Sequence, residues 1–217
     1  MSGCDLMVWC TCAEKDCARY MARVSAWRRQ LSYLDADFYA FCDGGLDGSV
    51  VRAPGVSFIE LTPALGRTSI PVFPGWKRSL HAAMGTSMKY RWCVHVENDC
   101  FVKDWRKFAE IAQTDGAVMA GYNPRYGFIE SSVMVLNDVN VRKRLQDQYR
   151  DGTSWNEDVV FEKSVSWLHS MAGRIGFSVR LERPQDRDAP EYGIICQCNP
   201  AVMDALCVKY DTGAASP

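Results

Sequence analysis

The sequence predicts an α/β protein with a mixed, mostly parallel central sheet flanked by helices. Three observations predict it. Short apolar runs rich in strand formers recur along the chain, turn residues close several of them, and the stretches between carry apolar residues at helical spacing.

Asp5 to Thr11 (DLMVWCT) reads as the first strand. Cys17, Met21, Val24, Trp27 and Leu31 then recur on one helical stripe. Phe38 to Cys42 (FYAFC), closed by Asp43-Gly44-Gly45, and Val56 to Leu61 (VSFIEL), closed by Thr62-Pro63, read as buried strands ended by turn residues. A second helix is expected from Trp76 to about Met88, and a strand from Trp92 to Val96 (WCVHV). Lys103 to Thr114 reads as helical, and Ala117 to Tyr122 and Ser132 to Leu136 as strands. Asp138 to Arg150 is a charged helix capped by Asn137 or Asp138, and Asp158 to Ala172 is a further helix with Phe161, Val165 and Leu168 on one stripe. Arg183 to Tyr192, polar and proline-bearing, is expected to be a surface loop that could cover a site. Alternating strands and helices over the first hundred residues place ligands at the carboxyl ends of the strands.

With 217 residues, 47% hydrophobic and 12% aromatic, the chain can bury a sizeable core and reads as one domain over 1–211. Residues 212–217 (TGAASP) read as a flexible tail or the start of a linker to other domains of a longer polypeptide. Lys plus Arg number 25 against 26 Asp plus Glu, so the basic footprint of a nucleic-acid binder is missing. The start MSGCDLMVWCTC lacks the basic lead of a signal peptide, and no apolar run nears the roughly 20 residues that span a bilayer. A cytoplasmic chain with no membrane span is the expectation. Ten cysteines in a chain of this length and apolar content predict free thiols rather than a disulfide framework. There is no C-x-x-C pair to suggest a structural zinc, and Val8-Trp9-Cys10 and Phe41-Cys42 place thiols in apolar runs as small buried hydrophobes.

The informative motif is Trp92 to Val102, WCVHVENDCFV. An apolar strand runs straight into Glu97-Asn98-Asp99, which sets two carboxylates two residues apart where the chain leaves the sheet. Carboxylates so placed can converge on a hard divalent cation that keeps open positions for substrate phosphates. On its own the pattern also suits an acidic turn, because Asn and Asp are ordinary turn formers. His95 lies within the strand and reads as a core residue or one behind the ligands. His81 and His169 fall in predicted helices.

In this context the sequence resembles the GT-A nucleotide-sugar glycosyltransferases, whose aspartate-any-aspartate motif ends the fourth strand of such an opening. Here the motif stands as Glu97-Asn98-Asp99, with a longer first carboxylate. Gly75-Trp76-Lys77-Arg78-Ser79-Leu80 opens the helix before the motif strand, as the family's basic segment does. Ile129 to Asn137 (IESSVMVLN) resembles the strand beside the donor sugar, and Trp155 to Phe161 (WNEDVVF) resembles the acidic segment that opens a helix under the acceptor. The likeness runs over roughly residues 5 to 180, with a nucleotide-binding half over about 1–102 and an acceptor half over about 103–211. One departure is that no histidine follows His169, so the late histidine ligand of many members is missing.

The resemblance implies a transferase that moves a sugar from a nucleotide-diphosphate donor, most commonly a UDP-sugar, to a hydroxyl acceptor on a glycan or glycoprotein. It implies Mn²⁺ or Mg²⁺ on Asp99 and Glu97, and nucleotide contacts from Asn98, Lys77 or Arg78, Thr11 and Asp43. Glu130, Ser131 and Ser132 then face sugar hydroxyls. Asp158, with Glu157 beside it, is the general base if the reaction inverts and positions the acceptor if it retains; the pair also suits a helix N-terminus. A nucleotidyltransferase would share fold and metal, but it usually has a glycine-rich phosphate loop after the first strand, where this chain has TCAEKDCARY. A non-catalytic sugar- or nucleotide-binding module would need neither acidic pair.

Overall fold

A computed structural model describes residues 4–12, 17–44, 53–66, 74–123, 128–148, 173–179, 194–197 and 200–211. Side-chain alternation organises the molecule. In β1 (Leu6–Cys12), Leu6, Val8, Cys10 and Cys12 enter one apolar cluster while Met7 and Trp9 enter another, so the strand is covered on both faces. The first face is closed by Tyr20, Met21, Val24 and Trp27 of α1 (Cys17–Gln30) and by Phe108 and Ala112 of α3 (Trp105–Ala112). The second is closed by Leu80, Ala83 and Met84 of α2 (Pro74–Ser87) and by Val141 and Leu145 of α4 (Val139–Gln148). Each helix presents the i, i+3, i+4 stripe that its sequence spells.

The remaining strands are β2 (Asp37–Asp43), β3 (Val56–Leu61), β4 (Trp92–Val96), β5 (Cys100–Val102), β6 (Val118–Asn123), β7 (Phe128–Leu136), β8 (Gly173–Val179) and β9 (Ile195–Gln197), followed by helix α5 (Pro200–Asp211). Among the described residues they form one sheet in the order β3-β2-β1-β4-β7-β6-β8-β9-β5. The first four positions are parallel, β7 is antiparallel to β4 and β6, β8 runs parallel to β6 and β9, and β5 is antiparallel to β9. The mixed, mostly parallel sheet expected from the sequence is therefore present.

Several boundaries differ from the sequence expectation. β5 is not foreseen there: three residues after an acidic turn read as its continuation, but pairing with β9 and a bond from Gln30 Nε2 to Val102 O (2.9 Å) make a strand of them. β7 starts at Phe128, not Ser132, because its polar beginning is paired along β6. The helix expected from Lys103 starts at Trp105, with the Asp104 carboxylate accepting from Lys107 N (3.0 Å) as its cap. At α4 the cap is Asp138, which accepts from Asn140 N (2.7 Å) and Val141 N (3.3 Å). Asn137 instead cross-braces the core: it accepts from Cys93 N and donates to Ala112 O and Thr114 O.

Arg142, on α4 and 3% exposed, donates to Ser87 O (2.5 Å) and Tyr90 O (3.0 Å) at the C-terminal end of α2. A guanidinium is well placed there, because the helix dipole is negative and Ser87 O, which also accepts from Tyr90 N, has a second lone pair to offer. The pairing fixes α2, whose other end reaches the site described next. Cys4, Cys10, Cys12, Cys42, Cys93, Cys100, Cys196 and Cys207 are free thiols, and no described helix is long and apolar enough to cross a membrane.

Candidate active site

The acidic turn lies at the carboxyl end of β4, in the middle of the sheet. Trp27 Nε1 donates to Val96 O (3.0 Å), and Glu97 N donates to Ser132 O of β7 (2.8 Å), so the strand end is held from a helix and from its neighbour. Cys100 N then donates to Glu97 O (2.9 Å) and closes the turn through Asn98 and Asp99. Asn98 is buried, while Glu97 and Asp99 are half-buried. The backbone alone fixes where the two carboxylates emerge.

Strand parity gathers the other groups. Trp9 pairs with His95 in the β1–β4 register, so two residues on Thr11 stands beside Glu97. Thr11 Oγ1 donates to Glu97 Oε1 at 2.8 Å. His95 shares the face of Glu97 and is fully buried. Its ring lies 4.1 Å from the Trp9 ring centroid and 6.3 Å from that of Trp76. His95 Nδ1 lies 2.8 Å from Ser131 O. Nε2 stands 3.2 Å from Glu97 Oε1, an electrostatic contact without hydrogen-bond alignment. Of the two sequence readings of His95, the complete burial supports that of a core residue.

Asp43, at the carboxyl end of β2, accepts from Leu65 N (3.0 Å) and Gly66 N (2.6 Å), and from Arg78, whose guanidinium also donates to Leu61 O. Its carboxylate lies directly against the start of α2: a methyl group at Gly75 would fall 2.1 Å from Oδ2. Only glycine permits a carboxylate so close to the start of that helix and its positive pole. Asp43 and Arg78, expected separately on the donor, are thus bonded to each other, and each keeps further hydrogen-bonding capacity. Lys77 is almost fully buried, and burial lowers its pKa from the usual lysine range.

On the opposite face of β1 and β2, Cys10, Cys12 and Cys42 line the floor, with Cys10 and Cys12 sulfurs 3.9 Å apart. Burial pushes the Cys10 thiol well above its ordinary range, and the negative charges of Glu97 and Asp99 add to the effect. That thiol stays protonated and is no nucleophile. It also senses the negative field that the two carboxylates set up at the strand end.

Ser131 and Ser132 are half-buried beside Glu97, and their carbonyls anchor His95 and Glu97. Glu130 pairs with Gly121 of β6 along the backbone. Glu157, Asp158, the expected helix over 158–172, the expected loop over 183–192 and the tail lie outside the described residues.

Among the described residues no group of three metal-binding side chains occurs. The donors of the acidic turn are two hard carboxylates, with one oxygen of Glu97 already engaged by Thr11. That set fits a magnesium- or manganese-type ion whose other positions go to water and phosphate, and does not fit a closed all-protein cage or a thiophilic metal. What the sequence does not expose is the link from Thr11 to Glu97. Strand parity signals that His95 shares the Glu97 face, but the partner on β1 depends on register.

The chain has the GT-A fold of nucleotide-diphospho-sugar glycosyltransferases. Solved structures with this fold include an active-site mutant of LgtC, with 10% sequence identity, a TM-score of 0.55, and coverage of 94% of this chain and 95% of that one. LgtC, a galactosyltransferase, has also been solved with donor and acceptor sugar analogues; that structure gives a TM-score of 0.54 at 11% identity, covering 94% of this chain and 95% of that one. A glycosyltransferase involved in glycosylating the major capsid of PBCV-1 gives 0.55 at 13% identity, covering 94% of this chain and 98% of that one. No protein-family model matches the sequence, and no curated protein matches it.

Proposed function

We propose that this chain is a divalent-metal-dependent glycosyltransferase that moves a sugar from a nucleotide-diphosphate donor, a UDP-sugar, to a hydroxyl on a glycan or glycoprotein acceptor. The observation that carries the reading is the Glu97-Asn98-Asp99 turn at the carboxyl end of β4 in a GT-A sheet. Asp99 and Glu97 would hold Mn²⁺ or Mg²⁺ together with the donor diphosphate. When bound, the cation supplies positive charge against the charge that develops on the leaving diphosphate. Asn98, Lys77 or Arg78, Thr11 and Asp43 are the groups proposed for the nucleotide, and Glu130, Ser131 and Ser132 those for sugar hydroxyls. On the α2 face of the sheet the rings of Trp9 and Trp76 pack against His95, which stands beside Glu97.

A thermal-shift panel tests this. UDP with manganese is expected to raise the melting temperature by about 5 °C or more at a hundredfold excess over Kd, from about 2.7 kcal/mol of linkage. UDP alone and manganese alone should each do less, and GDP, ADP and CDP less than UDP. Equal stabilisation by UDP in a chelator would remove the shared cation from the proposal.

Asp158 is proposed as the base that takes the acceptor proton, or as the residue that positions the acceptor. Asparagine caps a helix about as well as aspartate but takes no proton. Asp158→Asn is therefore expected to leave the melting temperature and UDP binding unchanged while transfer falls roughly 10²-fold. Near-normal transfer in that variant would shift the role to Glu157 or Glu130, or favour a retaining reaction.

A further inference from the structure

We propose that Thr11 is a positioning residue for Glu97: its hydroxyl pins the carboxylate by Oε1, so that Oε2 is the oxygen presented to a metal–diphosphate ligand. The inference deepens the proposed function and rests on it. Three observations carry it. The β1–β4 register brings residues 86 apart in sequence side by side, and the resulting bond from Thr11 Oγ1 to Glu97 Oε1 is 2.8 Å long. A hydroxyl donating to a carboxylate makes a short, charge-assisted bond, and threonine is β-branched, so its χ1 is stiff enough to aim it.

The second observation is the wall on the other side of the same oxygen. His95 Nε2 stands 3.2 Å from Oε1, and the ring cannot withdraw, because Trp9 and Trp76 flank it and Nδ1 is tied to Ser131 O. The third concerns the free oxygen: among the described residues, none donates a hydrogen bond to Glu97 Oε2. Glutamate has three rotatable side-chain bonds, and holding one oxygen removes most of the freedom that ligand binding would otherwise have to freeze. Thr11 acts through Glu97 and does not itself need to touch the ligand.

The test compares Thr11→Val, which keeps shape and strand preference but lacks the donor, with Thr11→Ser, which keeps the donor. Manganese(II) binding in the presence of UDP is read from the electron paramagnetic resonance signal of free Mn²⁺, and melting temperature is read without ligand. Removing a group that orients a ligand typically weakens metal binding roughly 10- to 100-fold, which is the loss expected for Thr11→Val. Thr11→Ser should stay within about threefold of wild type, and both melting temperatures should match it. In a Glu97→Ala background Thr11→Val should add nothing. Should Thr11→Val fail to fold, Thr11→Ala takes its place in the comparison. Wild-type affinity in the donor-less variant, an equal loss in Thr11→Ser, or an additive loss in the Glu97→Ala background overturns the positioning role. A wild-type chain that binds no manganese with UDP overturns the proposed function itself, and that result is obtained before any variant is made.

Discussion

Asp99→Asn is expected to lower sugar transfer by about 10²–10³-fold or more while leaving the ligand-free melting temperature within about 2 °C of wild type. The second half of that expectation follows from the backbone. The turn carrying Asp99 is closed by the bond from Cys100 N to Glu97 O and tied to β7 by the bond from Glu97 N to Ser132 O, neither of which uses the Asp99 side chain. The Asp99 carboxylate meets the Cys100 thiol at 3.8 Å, a weak donor that an amide oxygen can also receive. The first half follows from charge. Asparagine has the shape of aspartate but contributes no negative charge to a cation, and the proposed chemistry draws most of its acceleration from the cation's stabilisation of the leaving diphosphate. Transfer rates measured at saturating donor across a manganese titration, beside a thermal melt, check both halves. Transfer within tenfold of wild type removes Asp99 from the site, and a collapsed melt makes its carboxylate structural.

How far the sequence spoke for itself depended on how local each signal was. The cores of β1 to β4 are short apolar runs, most of them closed by turn residues, and their expected bounds fall within one residue of the observed ones. Glu97 and Asp99 were legible for the same reason, since an acidic pair where an apolar strand ends needs no distant information. β8 and β9 were not: GRIGFSV carries two glycines and ICQ only three residues, so both depend on pairing with β6, β5 and each other. The same limit governed the site. Thr11 and Asp43 stand at the carboxyl ends of strands, which sequence position conveys, but that Thr11 bonds Glu97 and Asp43 bonds Arg78 is decided by sheet register and by the absence of a side chain at Gly75.

Arg142→Met is expected to cost about 2–4 kcal/mol of stability and to lower the melting temperature by roughly 6–12 °C, with manganese and UDP binding at about 20 °C almost unchanged. Methionine keeps the aliphatic stem that packs into the core but offers no donors to Ser87 O, Tyr90 O and Arg91 O. Ser87 O keeps its bond from Tyr90 N, but leaving Tyr90 O and Arg91 O short of a donor costs roughly 1–3 kcal/mol each, and relief of the buried guanidinium's desolvation offsets part of the sum. Lysine at 142 keeps the charge but not the planar fork that reaches several carbonyls at once, so Arg142→Lys should recover only part of the loss. The site should persist in the folded fraction because α2 is 14 residues long, about 21 Å, and Arg142 grips the end away from Trp76, Lys77 and Arg78. At its near end, α2 is held independently by Asp43 against Gly75 and by the Asp43–Arg78 pair. A change in melting temperature below about 2 °C would show that the guanidinium contributes no net stability. Loss of ligand binding in proportion to stability would instead mean that the two ends of α2 move as one unit.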